Sequence, residues 1–193
     1  MKVELLFITP DSERLIELAG RVAYQSFHRL KEGSEKEFVR MIRRSGHHSV
    51  LEHAYATFRI SGISRACSHQ LVRHRLCSFT QKSQRYVDEK DFSYVIPPSV
   101  EESEEAKKLF EEFMESARNT YVRLKELGIK NEDARYVLPN ATETEIVLTA
   151  NFRELRHIIS LRKDKSAQWE IRKLAHEMLR LLKEHAPSVF EDL

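Results

Sequence analysis

Cysteine is nearly missing from this 193-residue chain: Cys67 and Cys77 are the only two. They are too few for a disulfide framework and stand in no zinc-ligand spacing, so both are expected as reduced thiols and no metal site is expected. Glycine is equally scarce, with five residues, and no Gly-rich run forms the fingerprint of a dinucleotide-binding βαβ unit. No apolar run approaches the roughly 20 residues that span a bilayer. Met1-Lys2-Val3-Glu4 leads straight into a strand-like segment without a signal-peptide pattern, so a cytoplasmic protein without a membrane partner is expected. Charge of one sign is lacking too. The 32 Lys and Arg stand against 30 Asp and Glu, which leaves no global preference for nucleic acid, membrane or acidic partners. There is no internal repeat, low-complexity tract or interdomain linker.

What is present suits one domain over residues 1–193, because 41% hydrophobic content at this length can fill a single core. The patterning predicts an α+β fold with a mixed or antiparallel sheet and several packed helices. Lys2 to Thr9 reads as a strand, followed by a helix through Leu15, Ile16, Ala19, Val22 and Ala23. Ser34-Glu35-Lys36-Glu37 is a capping-box pattern that starts a second helix, and Gly46 can end it in a left-handed cap. Ala54 to Ile60 alternates as a half-buried strand, and Ser61-Gly62 is expected to turn the chain. A short helix from Ile63 then delivers Arg73-His74-Arg75 at its end, ahead of an irregular segment from Leu76 to Val87. Pro97-Pro98 and Ser99 to Glu102 launch a long helix ending near Gly128, whose apolar stripe packing alone explains. Asn131 to Val137 reads as a helix stopped by Pro139, Thr144 to Ala150 as a strand, and two helices, from about Glu154 and about Gln168, complete the chain.

Between His53 and Val87 there is no Asp or Glu, yet Arg59, Arg65, Arg73, Arg75, Lys82 and Arg85 all fall there, with Ser68, Gln70, Ser78, Gln81 and Ser83 between them. Guanidinium forks bind phosphate bidentately, and hydroxyls and amides add neutral hydrogen bonds, so a nucleotide site is the natural reading. Arginines on a solvated face are the plain alternative. A nucleic-acid groove fits less well: the chain carries a net charge of only +2, and Phe79 and Tyr86 are the only aromatics near the arginines. His47, His48 and His53 fit a metal centre poorly, because no second pair follows at helical spacing, and Glu52 suits orientation of a ring nitrogen better than ligation.

Arg73-His74-Arg75, seven residues, then Ser83 reproduces the signature of the flavin-dependent thymidylate synthases. The flanking Ser68-His69-Gln70-Leu71-Val72 and Ser83-Gln84-Arg85-Tyr86 resemble the same family, as do Gly46 to His53, Asp133 to Pro139, Asn151-Phe152-Arg153, His157, Leu161-Arg162 and Ala167 to Glu170. The resemblance implies that family's fold, with FAD held by Ser49, Arg73, His74, Arg75, Gln81, Asn151, Arg153 and His157. It implies dUMP contacts from Gln70, Leu71, Val72, Arg73, Gln81, Lys82, Ser83, Gln84, Arg85, Arg135 and Arg162, with Ser83 and Arg85 at the phosphate and Arg162 facing the pyrimidine. 5,10-Methylenetetrahydrofolate as carbon donor, NADPH as reductant, and a homotetramer with sites shared between subunits are further implications. Gln81, Gln84 and Ser166 stand where some members have Glu, Gly and His.

Methylating C5 of uracil needs electron density at that carbon, and a cysteine thiolate adding to C6 is the ordinary route. The resemblance implies a route without an enzyme thiol bonded to the pyrimidine, which moves attention from Cys77 to Arg162. A guanidinium is no general base at physiological pH, but it stabilises negative charge on the N3-C-O edge of the ring.

Overall fold

The computed structural model describes residues 1–193. Four strands, β1 (Lys2–Ile8), β2 (Tyr55–Ser64), β3 (Ser78–Gln81) and β4 (Glu143–Asn151), hydrogen-bond in the order β1-β2-β4-β3. Nine helices accompany them: α1 (Ser12–Val22), α2 (Ser34–Arg44), α3 (Arg65–Leu71), α4 (Pro98–Glu101), α5 (Glu104–Glu126), α6 (Asn131–Ala134), α7 (Phe152–Arg162), α8 (Trp169–His185) and α9 (Pro187–Phe190). This is the expected α+β class, helices with an antiparallel sheet. The chain packs as two compact units, one of residues 1–2, 60–70 and 80–146, the other of residues 3–59, 71–79 and 147–193. Neither is a continuous stretch of sequence, which is why no boundary shows in the composition.

In the larger unit the alternation of β2 does what its period dictates: Ala54, Ala56 and Phe58 are fully buried while Tyr55 and Arg59 face out. Thr57 and Thr149 share a hydroxyl hydrogen bond of 2.9 Å and the Phe152 amide donates to the Ala54 carbonyl, an antiparallel register. Helices α7 and α8 pack on each other and bury Leu155, Ile158, Ile159, Leu174, Met178 and Leu182, and the rings of Phe152 and Phe190 meet edge-on at 5.2 Å. Each fully buried side chain of this kind is worth about 2 kcal/mol of transfer free energy.

The smaller unit is built on Phe92, Met114 and Ala117, packed by Tyr94, Phe110, Leu138 and Ala141. Leu109 and Phe113 of α5 are exposed, so packing within the chain accounts for only part of that helix's apolar stripe.

Several local expectations are corrected. Ser34 is not a cap: Gly33, at φ 77°, precedes the helix, and the Ser34 hydroxyl, buried, donates to Glu17 at 2.8 Å. Ser61-Gly62 does not turn the chain. Gly62 stays within β2 at φ 67°, where a Cβ would stand 3.0 Å from the Met1 nitrogen, so the glycine serves a close backbone approach. Ile63 accordingly lies in the strand and the helix begins at Arg65. The supposedly irregular Leu76 to Val87 contains β3. The long helix starts afresh at Glu104, because the Ser103 hydroxyl accepts from the Ala106 amide. Only Asn131–Ala134 is α-helical, Arg135–Val137 tightening to a 3-10 turn before Pro139. After Pro187 a short helix follows, its Ser188 amide bonded to the Glu13 carboxylate at 2.7 Å.

Gly20 in α1 illustrates packing against propensity. Glycine weakens a helix interior, yet a Cβ here would stand 2.4 Å from Cζ of Phe38. Gly20→Ala is expected to lower stability by about 1–3 kcal/mol despite the better helix former. Equilibrium urea unfolding checks this, and an unchanged or raised midpoint contradicts it.

Candidate active site

Two local features deliver the motif of the larger unit. The chain turns after α3, the His74 amide donating to the Leu71 carbonyl at 3.2 Å, and this turn buries His74 while exposing Arg73 and Arg75 on either side. Neither arginine forms an ion pair. Two uncompensated guanidiniums two residues apart constitute an anion receptor. Leu71 is only 1% exposed, so its main chain rather than its side chain is what it offers a ligand, and Val72 is exposed.

Helix α7 supplies the rest. Asn151 is its N-cap, accepting the Glu154 amide at 2.9 Å, and Glu52, Leu76, Asn151, Arg153, Glu154 and His157 line a cavity of ≈ 560 Å³. Arg153 at its rim is paired with Glu52 at 2.6 Å, so Glu52 orients a guanidinium, not the ring nitrogen expected of it. Ser49 lines a second cavity of ≈ 550 Å³ with His47, Arg21 and Arg29, while its neighbour His48 shares a smaller cleft with Arg153 and His157. His48 Nε2 lies 3.2 Å from the Arg43 carbonyl.

At the far end of α7, Arg162 Nε donates to His74 Nε2 at 3.0 Å. The guanidinium has no acceptor, so Nε2 must carry the lone pair and the ring proton must sit on Nδ1. Burial, then the charge of Arg162, then His157, push the His74 pKa down to about 4, so the ring is neutral at physiological pH. His157 stands edge-on to it at 5.9 Å between centroids.

The smaller unit holds the remaining predicted residues. Arg85 Nε is bound by Glu132 at 2.6 Å, and Arg135 Nε donates to the Glu132 carbonyl at 3.0 Å, so one residue gathers both guanidiniums. Burial and then Arg135 lower the Arg65 pKa, opposed by Glu89, which marks a concentration of positive charge here. Lys82 is held by the buried Glu89 at 2.9 Å. Ser83 Oγ accepts the Arg85 amide at 3.3 Å, and Gln70 is half-buried near the end of α3. Gln81 gives its amide N–H groups to Ser68 at 2.9 Å and Thr144 at 3.1 Å, leaving its carbonyl as the group it can present. Gln84 is buried with its side-chain nitrogen unpartnered. Back in the larger unit, Ser166 closes a turn after α7 by donating to Asp164 at 2.6 Å.

Sequence reasoning assigned no role to Glu154. Its carboxyl, 7% exposed, lies 3.7 Å from His74 Nδ1, a pairing across unrelated segments that no local motif announces.

Arginines arranged for anions, a cavity with an amide, an imidazole and a guanidinium, and an arginine fixed by a neutral histidine define an enzyme that handles phosphorylated ligands. The comparisons specify it further. Residues 4–188 match the family model described as thymidylate synthase complementing protein. The flavin-dependent thymidylate synthase of Geobacter sulfurreducens is 48% identical, covering 100% of this chain and 86% of its own length; that of Mycobacterium tuberculosis H37Rv is 45% identical over 92% and 78%. The thymidylate synthase X of Helicobacter pylori, solved with FAD and dUMP, superposes with a TM-score of 0.86 at 28% identity, covering 100% of this chain and 98% of that one. The chain belongs to the flavin-dependent thymidylate synthase family.

Cys77 tests the thiol question directly. Burial first, then Glu154, push its thiol up to about 12. At pH 8 it should hold about a thousandfold less thiolate than an ordinary cysteine. Iodoacetamide labelling of the folded protein, read by mass spectrometry, is expected to leave Cys77 almost unmodified at pH 8 and to accelerate as pH rises. Prompt labelling at pH 8 contradicts the assignment.

Proposed function

We propose that this protein converts dUMP to dTMP by reductive methylation, with 5,10-methylenetetrahydrofolate as carbon donor and NADPH-reduced FAD as hydride source. Its family supports the reading, and so does the Helicobacter pylori relative that binds FAD and dUMP. The observation that carries it is the Arg162–His74 hydrogen bond, which holds a permanent cation in a fixed plane at the end of α7. We read residues 1–193 as one functional domain, working in the cytoplasm; no helix is long and apolar enough to cross a membrane.

The residues fit the cofactor. Arg73 and Arg75, exposed and without ion pairs, suit a pyrophosphate, while Asn151, Arg153 and His157 offer a donor amide, a guanidinium and an aromatic ring at a cavity. His74 joins them, with Ser49 and the Gln81 carbonyl as further contacts. FAD, when bound and reduced, supplies the hydride that completes the methyl group. Arg85, Arg135 and Ser83 take the phosphate of dUMP, Arg85 exchanging Glu132 for it; Gln70, Leu71, Val72, Arg73, Lys82 and Gln84 complete the nucleotide contacts. Arg162 meets the pyrimidine and stabilises negative charge on its N3-C-O edge. The thiol of Cys77, held protonated, takes no part.

Arg162→Lys keeps the charge but loses the planar fork and the Nε–H. It is expected to keep flavin absorbance and bleaching by NADPH while dTMP formation falls on the order of a hundredfold. Near-normal dTMP formation removes Arg162 from the reaction; a colourless wild-type protein that cannot take up FAD removes the flavin chemistry altogether.

We further propose a homotetramer whose sites are shared between subunits. Supporting it, Leu6 and Phe7 on β1 and Leu109 and Phe113 on α5 are large apolar side chains left exposed by the single chain, and Ser49 lines a cavity separate from that of Asn151 and Arg153. Two inactive variants, one altered at Ser49 and His53 and the other at Asn151 and Arg153, are expected to regain part of the dTMP activity once their subunits exchange. No recovery after verified exchange, or a monomer with full turnover, contradicts shared sites.

A further inference from the structure

The geometry points to Glu154 as a positioning residue for Arg162, acting through the His74 ring. The inference rests on the reading that Arg162 works on the pyrimidine. Glu154 lies in the first turn of α7 and Arg162 in the last, eight residues and about 12 Å along the axis, on one i, i+4, i+8 stripe. Side chains on a helix lean toward its N-terminus, so Arg162 reaches back along that stripe toward Glu154. His74, from the turn after α3, stands between them, its Nε2 3.0 Å from Arg162 Nε and its Nδ1 3.7 Å from Glu154 Oε1.

The ring is therefore held by a hydrogen bond at Nε2 and faced at Nδ1 by a carboxyl just beyond hydrogen-bond distance, close enough to act on it electrostatically. Arg162 requires a lone pair on Nε2, and a carboxyl facing Nδ1 favours the proton on that nitrogen. In water the imidazole has no such instruction, and a ring with its proton on Nε2 would turn a donor against the guanidinium and break the contact that fixes its plane. The other titratable group facing the ring is His157, edge-on at 5.9 Å, and Glu154 itself also acts on the thiol of Cys77. Neither His157 nor Cys77 supplies an acidic partner for Nδ1. A carboxyl 7% exposed at a cavity wall is costly to keep without a task, and a role confined to the helix would be met by an exposed acid in the same turn.

The experiment uses FAD-loaded enzyme with 15N-labelled histidine, the His74 resonances assigned by their loss in His74→Asn. Wild-type His74 should show the Nδ1–H tautomer. In Glu154→Ala, or in Glu154→Met where the space must stay filled, a mixture containing Nε2–H is expected, and kcat for dTMP formation should fall about tenfold while the KM for dUMP and FAD retention change little. Glu154→Gln keeps an acceptor oxygen, so it should hold the tautomer and recover most of kcat; a purely structural role would not track the tautomer in this way. An unchanged Nδ1–H tautomer in Glu154→Ala and Glu154→Met overturns the proposal. A shifted tautomer with normal kcat overturns it as well, and a near-normal Arg162→Lys beside it would place the fault in the role read for Arg162.

Discussion

The hydrogen bond between Arg162 and His74 is possible only while the imidazole is neutral, and the surrounding protein keeps it so. A protonated His74 would set two cations 3.0 Å apart in a buried place, which low polarisability makes far more costly than the same encounter in water. Burial lowers the histidine's pKa and Arg162 lowers it further, so the interaction reinforces the state it needs. The signature Arg73-His74-Arg75 thereby divides its labour. The arginines are exposed and without ion pairs, and the histidine between them is buried and accepts from a third arginine. A turn, not a helix, makes this division, since alternate residues of an extended or turning chain face opposite ways.

The basic segment from His53 to Val87 is resolved by the fold into cations with and without partners. Arg59 pairs with Glu4, Lys82 with Glu89 and Arg85 with Glu132, all acids supplied from outside the segment. Arg73 and Arg75 have none. An exposed pair such as Arg85 and Glu132 is worth little, about 0–1 kcal/mol, so a dianionic phosphate can replace the carboxylate at small cost. In the phosphate-binding role proposed for Arg85, Glu132 would keep the guanidinium extended without substrate and compete only weakly with it.

How much of this was legible in the sequence follows from which interactions are local. The alternation of Ala54 to Ile60, the strand at Thr144 to Ala150, the buried stripe of α8 and the left-handed Gly46 are set by neighbours in sequence, and the structure has them where the local pattern puts them; the stripe read for α1 fails, because Leu15 and Val22 are exposed and the helix instead buries Ser12, Glu13, Ile16, Glu17 and Gly20. The motif named the family because a family signature is itself a short stretch. Ser34, Gly62 and the start of β3 were misread because their fates are tertiary: a hydroxyl claimed by Glu17, a glycine facing the Met1 amine, a short strand recruited by β4. For the same reason Glu52 was given the wrong partner and Glu154 none. Glu52 lies 101 positions from the arginine it pairs with, and Glu154 reaches a histidine 80 positions earlier, by 154 − 74, so spacing carries no trace of either.

Helix α7 gives these scattered residues a common frame. Asn151 caps its start, Glu154 and His157 occupy its first two turns, and Arg162 closes it, so the residues proposed to hold the cofactor and the arginine proposed to act on the pyrimidine are positions along one rigid rod. Phe152, Leu155, Ile158 and Ile159, all buried, fix the rotation of that rod, and this rotation decides which side the polar residues show. A core substitution that turned α7 by a fraction of a residue would move Arg162 relative to His74 by more than a hydrogen bond tolerates. Packing and chemistry are therefore coupled through the helix's azimuth, and the site's precision is inherited from close-packed aliphatic side chains that touch no ligand.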